Sequence, residues 1–253
     1  MEGKDFQILG KFARILAHSR ISNRSDFAVI PVEGFNPERI RNLKTGMEAT
    51  LGRKMLAAAL LDRDYRCGKE RESIEKNCAS FCEYVKIYRR KEIENFLLVP
   101  SAIDRAAERR VADRAKRTGE KLTYDSSATA ILEKFAAERK SYVTAQYLAS
   151  RQRFERLRSS GLSDASISEN ALVEFEETWD DLNSRLEMIP GKEAMGFLSH
   201  HFQTLYGVML TASAILDAMR LEEVPEEMRQ IISDLSLFAA AKTSVTIERV
   251  AAA

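Results

Sequence analysis

Apolar side chains recur at Phe6, Leu9, Phe12 and Leu16, a spacing that predicts a helix over residues 4–17. The pattern then shortens. "DFAVIPVEG", residues 26–34, is an apolar run closed by Glu33-Gly34, as a buried strand and its tip would be. Asn36-Pro37 sets an N-cap before a first helical residue, and Ile40, Leu43, Met47 and Leu51 continue as one helical face. Residues 55–61 contain no polar side chain, which predicts a central parallel strand covered on both faces and ending at Asp62-Arg63-Asp64. A helix over 69–79, a strand over 83–88, a basic corner at Arg89-Arg90-Lys91 and a short helix follow.

This alternation over residues 1–99 implies crossover units and a parallel sheet. Beyond Pro100 the reading is helical: 101–118, then 125–158 with Ile131, Phe135, Tyr142 and Tyr147 on its apolar positions. A polar break at 159–170 precedes a helix through Trp179, where Phe175 and Trp179 read as core. "MIPGKEAM" is a turn, and helices over 193–220 and 226–240 complete the chain, Pro225 standing ahead of the last. No strand, internal repeat or low-complexity tract is predicted past residue 100. The fold class is therefore α/β, a parallel sheet flanked by helices over 1–100, followed by a largely α-helical region over 101–253.

Composition narrows the function. The chain has 253 residues, 45% of them hydrophobic, enough for a real core in one large domain or two ordinary ones. A formal net charge of +1 gives no global basic field, so any nucleic-acid contact must come from a local patch. No apolar run is long enough to cross a bilayer, and with Glu2, Lys4 and Asp5 among the first residues no signal peptide is expected. Cys67, Cys78 and Cys82 form no CxxC pair and read as reduced thiols, so a cytoplasmic location is expected. No glycine-rich phosphate loop is present, so no ATP site is expected. His18, His200 and His201 do not cluster with the acidic residues by spacing.

The chemistry centres on "LLDRDYR". Two aspartates flanking one residue after a buried strand place both carboxylates at a strand tip, where functional groups of parallel sheets gather. With a further carboxylate they suit Mg²⁺, which takes oxygen ligands. Two such ions about 4 Å apart can activate water and stabilise the leaving oxygen of a phosphodiester. A solvated turn is the alternative for Asp-x-Asp alone.

A strand-end Glu-Gly, a helix, and Asp-x-Asp after a later strand together resemble the Toprim domain. In their order, "EGKDFQILGKFARIL", "LLDRDYR", "RRKEIENFLL", "IPGKEAM" and "EEVPEEMRQIISDL" resemble the C-terminal half of the overcoming-lysogenisation-defect (OLD) nucleases, which join an ABC-type ATPase to a Toprim nuclease. The resemblance implies a Mg²⁺- or Mn²⁺-dependent DNA endonuclease of phage defence. It implies that Glu2 and Asp5 bind one metal and that Asp62 and Asp64 bridge or bind the second. Glu94 would add a carboxylate, with Glu92 as the alternative. Lys192 would stabilise charge at the scissile phosphate, and Arg89, Arg90 and Lys91 would touch the DNA backbone. Glu2 is preferred to Glu33 because the resemblance requires a full strand-containing span before the aspartate pair.

Two departures follow. The ATPase is missing, and only Met1 precedes Glu2, where the resemblance requires a strand. The expectation is a fragment of a longer protein, with an ATPase domain or subunit encoded upstream or separately. The long helices could grip DNA or build a homodimer. Two other functions stay open: a non-catalytic fragment or helical interaction module, and a Toprim ribonuclease.

Overall fold

The computed structural model describes residues 5–24, 27–32 and 35–251, with side chains as far as 240. In chain order the elements are α1 (Asp5–Ile15), α2 (Ser19–Asn23), α3 (Pro37–Leu51), β1 (Ala58–Leu61), α4 (Gly68–Cys78), β2 (Tyr84–Ile87) and a 3-10 helix (Ile93–Leu97). Then come α5 (Pro100–Thr118), α6 (Ala128–Leu157), α7 (Asp164–Trp179), α8 (Leu182–Met188), α9 (Gly191–Tyr206), α10 (Ala212–Ala218), a 3-10 turn (Leu221–Glu223) and α11 (Glu226–Ala251). They divide into two compact units: residues 1–62, 71–88 and 224–253 in the first, 63–70 and 89–223 in the second. Both units are assembled from more than one stretch of the chain.

In the first unit β1 and β2 pair in parallel, Ala58 opposite Tyr84 through Leu61 opposite Ile87, joined by a connection that contains α4. Ala59, Leu60 and Leu61 are all buried, as expected for a strand covered on both faces. The strand is shorter than its apolar run, because side chains take over its first donors. Glu48 accepts from the Met55 N–H at 2.9 Å and Glu83 from the Ala57 N–H at 2.6 Å. Among the described residues β1 has β2 as its only partner, so the predicted central position is corrected.

The strand predicted over 26–34 is also corrected. Phe27–Val32 joins no ladder; Ala28, Ile30 and Pro31 are exposed, and Pro31 has no N–H to give. Glu33 and Gly34 lie outside the described residues. The segment instead lines an apolar cavity of about 230 Å³ with Ile40, Leu43 and Met47 of α3 and Leu60 of β1, which is why the α3 face is not fully buried. Asn36 caps α3 by accepting from the Arg39 N–H at 3.0 Å, with Pro37 at the first helical position. α11 packs against α1, α2 and β2 and closes this unit.

The second unit is helical. α6 lies against α7, α8 and α9, and α5 against α6 and α10. Phe175 and Trp179 stack at 5.0 Å inside it, as core residues should. Two helix boundaries differ from the pattern. Ser163 caps Ser166 at 3.2 Å, so α7 begins inside the polar stretch 159–170. The predicted 193–220 helix is broken at Gly207, which takes a left-handed φ of 60° and ends α9 before Thr211 caps α10. Among the described residues no helix is long and apolar enough to cross a membrane.

Candidate functional site

In the first unit the carboxyl end of β1 delivers Asp62, half-buried, directly after buried Leu61. Tyr88 follows β2 and is held at this end, its N–H donating to the Leu61 carbonyl at 3.1 Å and its own carbonyl accepting from Arg71 at 3.3 Å. The Tyr88 phenol is buried. Burial first, then the negative charges of Asp62, Asp5 and Glu227, push its pKa well above the usual phenol value. Asp5, in the first turn of α1, is only 5% exposed. The fold thus lets the charge of two sequence-predicted carboxylates, Asp5 and Asp62, bear on one buried phenol. It adds Glu227, 8% exposed in the first turn of α11, which sequence reasoning missed. The signal for Glu227 was slight, an acid just after Pro225.

In the second unit Asp64 stands exposed with a left-handed φ of 50°, a conformation that Asp tolerates better than most residues. The loop around it is over-determined. The Asp64 N–H donates to the Lys91 carbonyl at 2.9 Å, Arg63 donates to the Arg66 and Arg89 carbonyls at 3.0 and 2.7 Å, and Arg66 pairs with Asp64 at 2.7 Å. Buried Arg151 reaches across from α6 to the Tyr65 carbonyl at 3.2 Å.

The 91–95 segment is then clamped to the turn before α9. Lys91 N–H donates to the Glu187 carbonyl at 2.8 Å. Fully buried Asn95 donates to the carbonyls of Leu186 and Ile189 at 2.7 and 2.8 Å and accepts from the Glu92 N–H at 3.0 Å. Glu92, also buried, accepts the Lys192 N–H at 2.7 Å and pairs with Lys91 at 3.1 Å. Gly191 lets this happen: a Cβ there would sit 2.7 Å from the Asn95 side chain and 2.8 Å from its backbone nitrogen. Asp64, Glu92 and Lys192 are therefore tied into one hydrogen-bonded assembly.

The remaining predicted residues are placed as follows. Lys192 is exposed in the first turn of α9, and Glu94 is half-buried in the 3-10 helix. Of the basic corner, Arg89 is exposed. Arg90 pairs with Glu187 at 3.3 Å and lies over the Phe96 ring, while Lys91 faces the Tyr65 ring at 5.6 Å. Arg90 and Lys91 are thus partly committed within the fold. Glu2 lies outside the described residues.

A divalent cation fits this donor set by its chemistry, since every candidate ligand is a hard carboxylate oxygen. Among the described residues, however, no three His, Cys, Asp or Glu side chains come together in a way that could hold a metal ion. Of the predicted ligands, Asp5 and Asp62 are the described ones that fall in the first unit. The three cysteines are free thiols, and burial raises Cys82 to about 11, so it stays protonated at neutral pH. No protein-family model, curated protein or solved structure matches the chain.

Proposed function

We propose that the chain is a Mg²⁺-dependent endonuclease of the Toprim type that cleaves DNA phosphodiesters. One observation carries the reading: Asp62 stands directly after buried Leu61 at the carboxyl end of a parallel strand, and Asp64 follows two residues later. Glu2, Asp5 and Asp62 would supply oxygen ligands in the first unit, Asp64 and Glu94 in the second. The cation, when bound, lowers the pKa of its water and neutralises charge on the phosphoryl group. Exposed Lys192 would stabilise the charge that develops on the phosphate. Arg89 offers a backbone phosphate contact from the same basic corner.

The test is nicking of supercoiled plasmid by the purified chain with Mg²⁺ or Mn²⁺. Cleavage should require the metal and vanish in Asp62→Ala and Asp64→Ala. Lys192→Ala should lower kcat by about 10²–10³-fold. A folded, monodisperse protein that leaves plasmid intact under these conditions sinks the reading.

A second reading, a non-catalytic binding module, has its own support. Asp64 is already paired with Arg66 and Glu92 already accepts the Lys192 N–H, so both carboxylates serve the fold. Retained thermal stability in Asp64→Asn, which keeps a residue suited to the left-handed φ, separates the two readings: a structural carboxylate should lower Tm when neutralised, a metal ligand should not.

A further inference from the structure

Helix α5 outruns its own core. Its buried side chains are Ala102, Ile103, Ala106, Ala107 and Val111, and none follows before the helix closes at Gly119, which takes a left-handed φ of 73°. Helices in proteins owe most of their stability to packing, so a stretch that buries nothing has to be held by other means. Here Arg114 holds it. Its guanidinium donates to the Tyr206 carbonyl at 2.9 Å and pairs with Glu120 at 3.4 Å. It also fills the space over Gly207, where a Cβ would overlap it.

This anchored arm presents positive charge. Arg110, Lys116 and Arg117 on the arm and Lys121 just beyond it are exposed, and none of them forms an ion pair among the described residues. Arg110, Arg114 and Arg117 recur at the spacing that lines side chains along one helix face. The rise from the first to the last is about 10 Å. The acids of the stretch do not cancel this charge. Glu108 and Asp113 are exposed, but Arg109 is an exposed cation beside them, and Glu120 is taken by Arg114.

The helix dipole explains only part of the pattern. It favours cations in a last helical turn, which covers Lys116 and Arg117. The effect fades within that turn, so it gives no reason for Arg110, two turns before the end, or for Lys121 beyond Gly119. With a net charge of only +1 over the whole chain, the excess is local and not part of a general field.

We propose that the C-terminal half of α5, with Lys121, is a DNA-binding face on which Arg110, Lys116, Arg117 and Lys121 contact the backbone phosphates of a duplex. Exposed cations free of acidic partners complement a polyanionic backbone, and such contacts position the duplex without reading its sequence. The proposal rests on the nuclease reading for the choice of DNA as the polyanion.

The experiment measures binding of a short DNA duplex by fluorescence anisotropy, in Ca²⁺ and over a series of salt concentrations. Three full-length proteins are compared. One is wild type. The second combines Arg110→Gln, Arg117→Gln and Lys121→Gln. The third combines Arg53→Gln, Lys54→Gln and Lys76→Gln, the same change in net charge made on exposed residues of the first unit. Each phosphate contact adds about 0.9 to the slope of log affinity against log salt, so the α5 variant should lose roughly 3 from that slope. The first-unit variant should keep the slope of wild type. An unchanged slope in the α5 variant, or an equal loss in the first-unit variant, overturns the proposal. If wild type nicks plasmid while the slope is unchanged, the nuclease reading stands without this face. If wild type binds duplex but never nicks plasmid, the nuclease reading fails, and the face stands when the α5 variant alone loses slope. A wild type that binds no duplex at low salt overturns the proposal, even if it binds phosphatidylserine vesicles.

Discussion

A single missing methyl group decides how the Lys192 turn is built. Gly191 leaves room for Asn95, whose amide serves two carbonyls and whose oxygen serves the Glu92 N–H. Gly191→Ala would drive its Cβ into both the side chain and the backbone of Asn95. Since backbone cannot swing aside, the expected loss is about 1–3 kcal/mol, read as a fall in Tm. Asn95→Asp is the sharper test. It keeps the shape but sets a carboxylate oxygen against the carbonyls of Leu186 and Ile189. An uncompensated buried charge costs about 3–5 kcal/mol, so this variant should melt well below Asn95→Ala at neutral pH. Equal melting of the two would mean that the new carboxylate is not held as a charge against the Leu186 and Ile189 carbonyls.

At the level of elements, one carboxylate ties α5 to the end of the second unit's chain. Glu223 accepts from Ser101 at 2.6 Å and from the Arg220 N–H at 2.8 Å, and it pairs with Arg105. Burial alone would raise its pKa, but the donors from Arg105, Ser101 and Arg220 outweigh burial and lower it. The folded carboxyl therefore binds its proton less readily than the unfolded one. Its stabilisation is complete above the ordinary carboxylate range and is lost as pH falls through that range to the lowered folded value. Tm measured from about pH 6 down to about pH 3 should fall less steeply in Glu223→Gln, which starts lower at neutral pH. Parallel acid limbs would remove Glu223 from the account. This kind of link was illegible in the sequence, because its partners are distant in the chain. What was legible had local causes. Asn36-Pro37 marked a helix start, the apolar run before Asp62 marked β1, and "PGK" marked the Lys192 turn. Phe27–Val32 was misread because an apolar run says nothing about whether a ladder partner exists. Gly207 was passed over because apolar side chains continue on both sides of it. Of the candidate site, Asp62 and Asp64 showed in their spacing. Tyr65, Asn95 and Glu227 matter through burial and tertiary partners that no spacing encodes.

For the whole molecule, chain order and spatial grouping part company. The chain leaves the first unit after Asp62, returns at Arg71, leaves after Tyr88 and returns for good at Val224. The first unit is thus completed by the last helix, α11, which packs on α1, α2 and β2. Met228, Ile231 and Ile232 of α11 are 0%, 1% and 0% exposed. Burying a large aliphatic side chain is worth about 1.5–3 kcal/mol, so these residues together rival the whole stability of an ordinary domain, about 5–15 kcal/mol. A chain ending at Glu223 should therefore lose the first unit. The second unit, whose core is formed by α5 to α10, should keep its helical circular dichroism and the stacked environment of Trp179. Calorimetry of the full chain should show a transition that is absent from the shortened one, while Trp179 fluorescence follows the transition that remains. If both transitions survive the truncation, α11 is not what closes the first unit. If Trp179 unfolds with it, the two units melt as one and their separation is geometric rather than energetic.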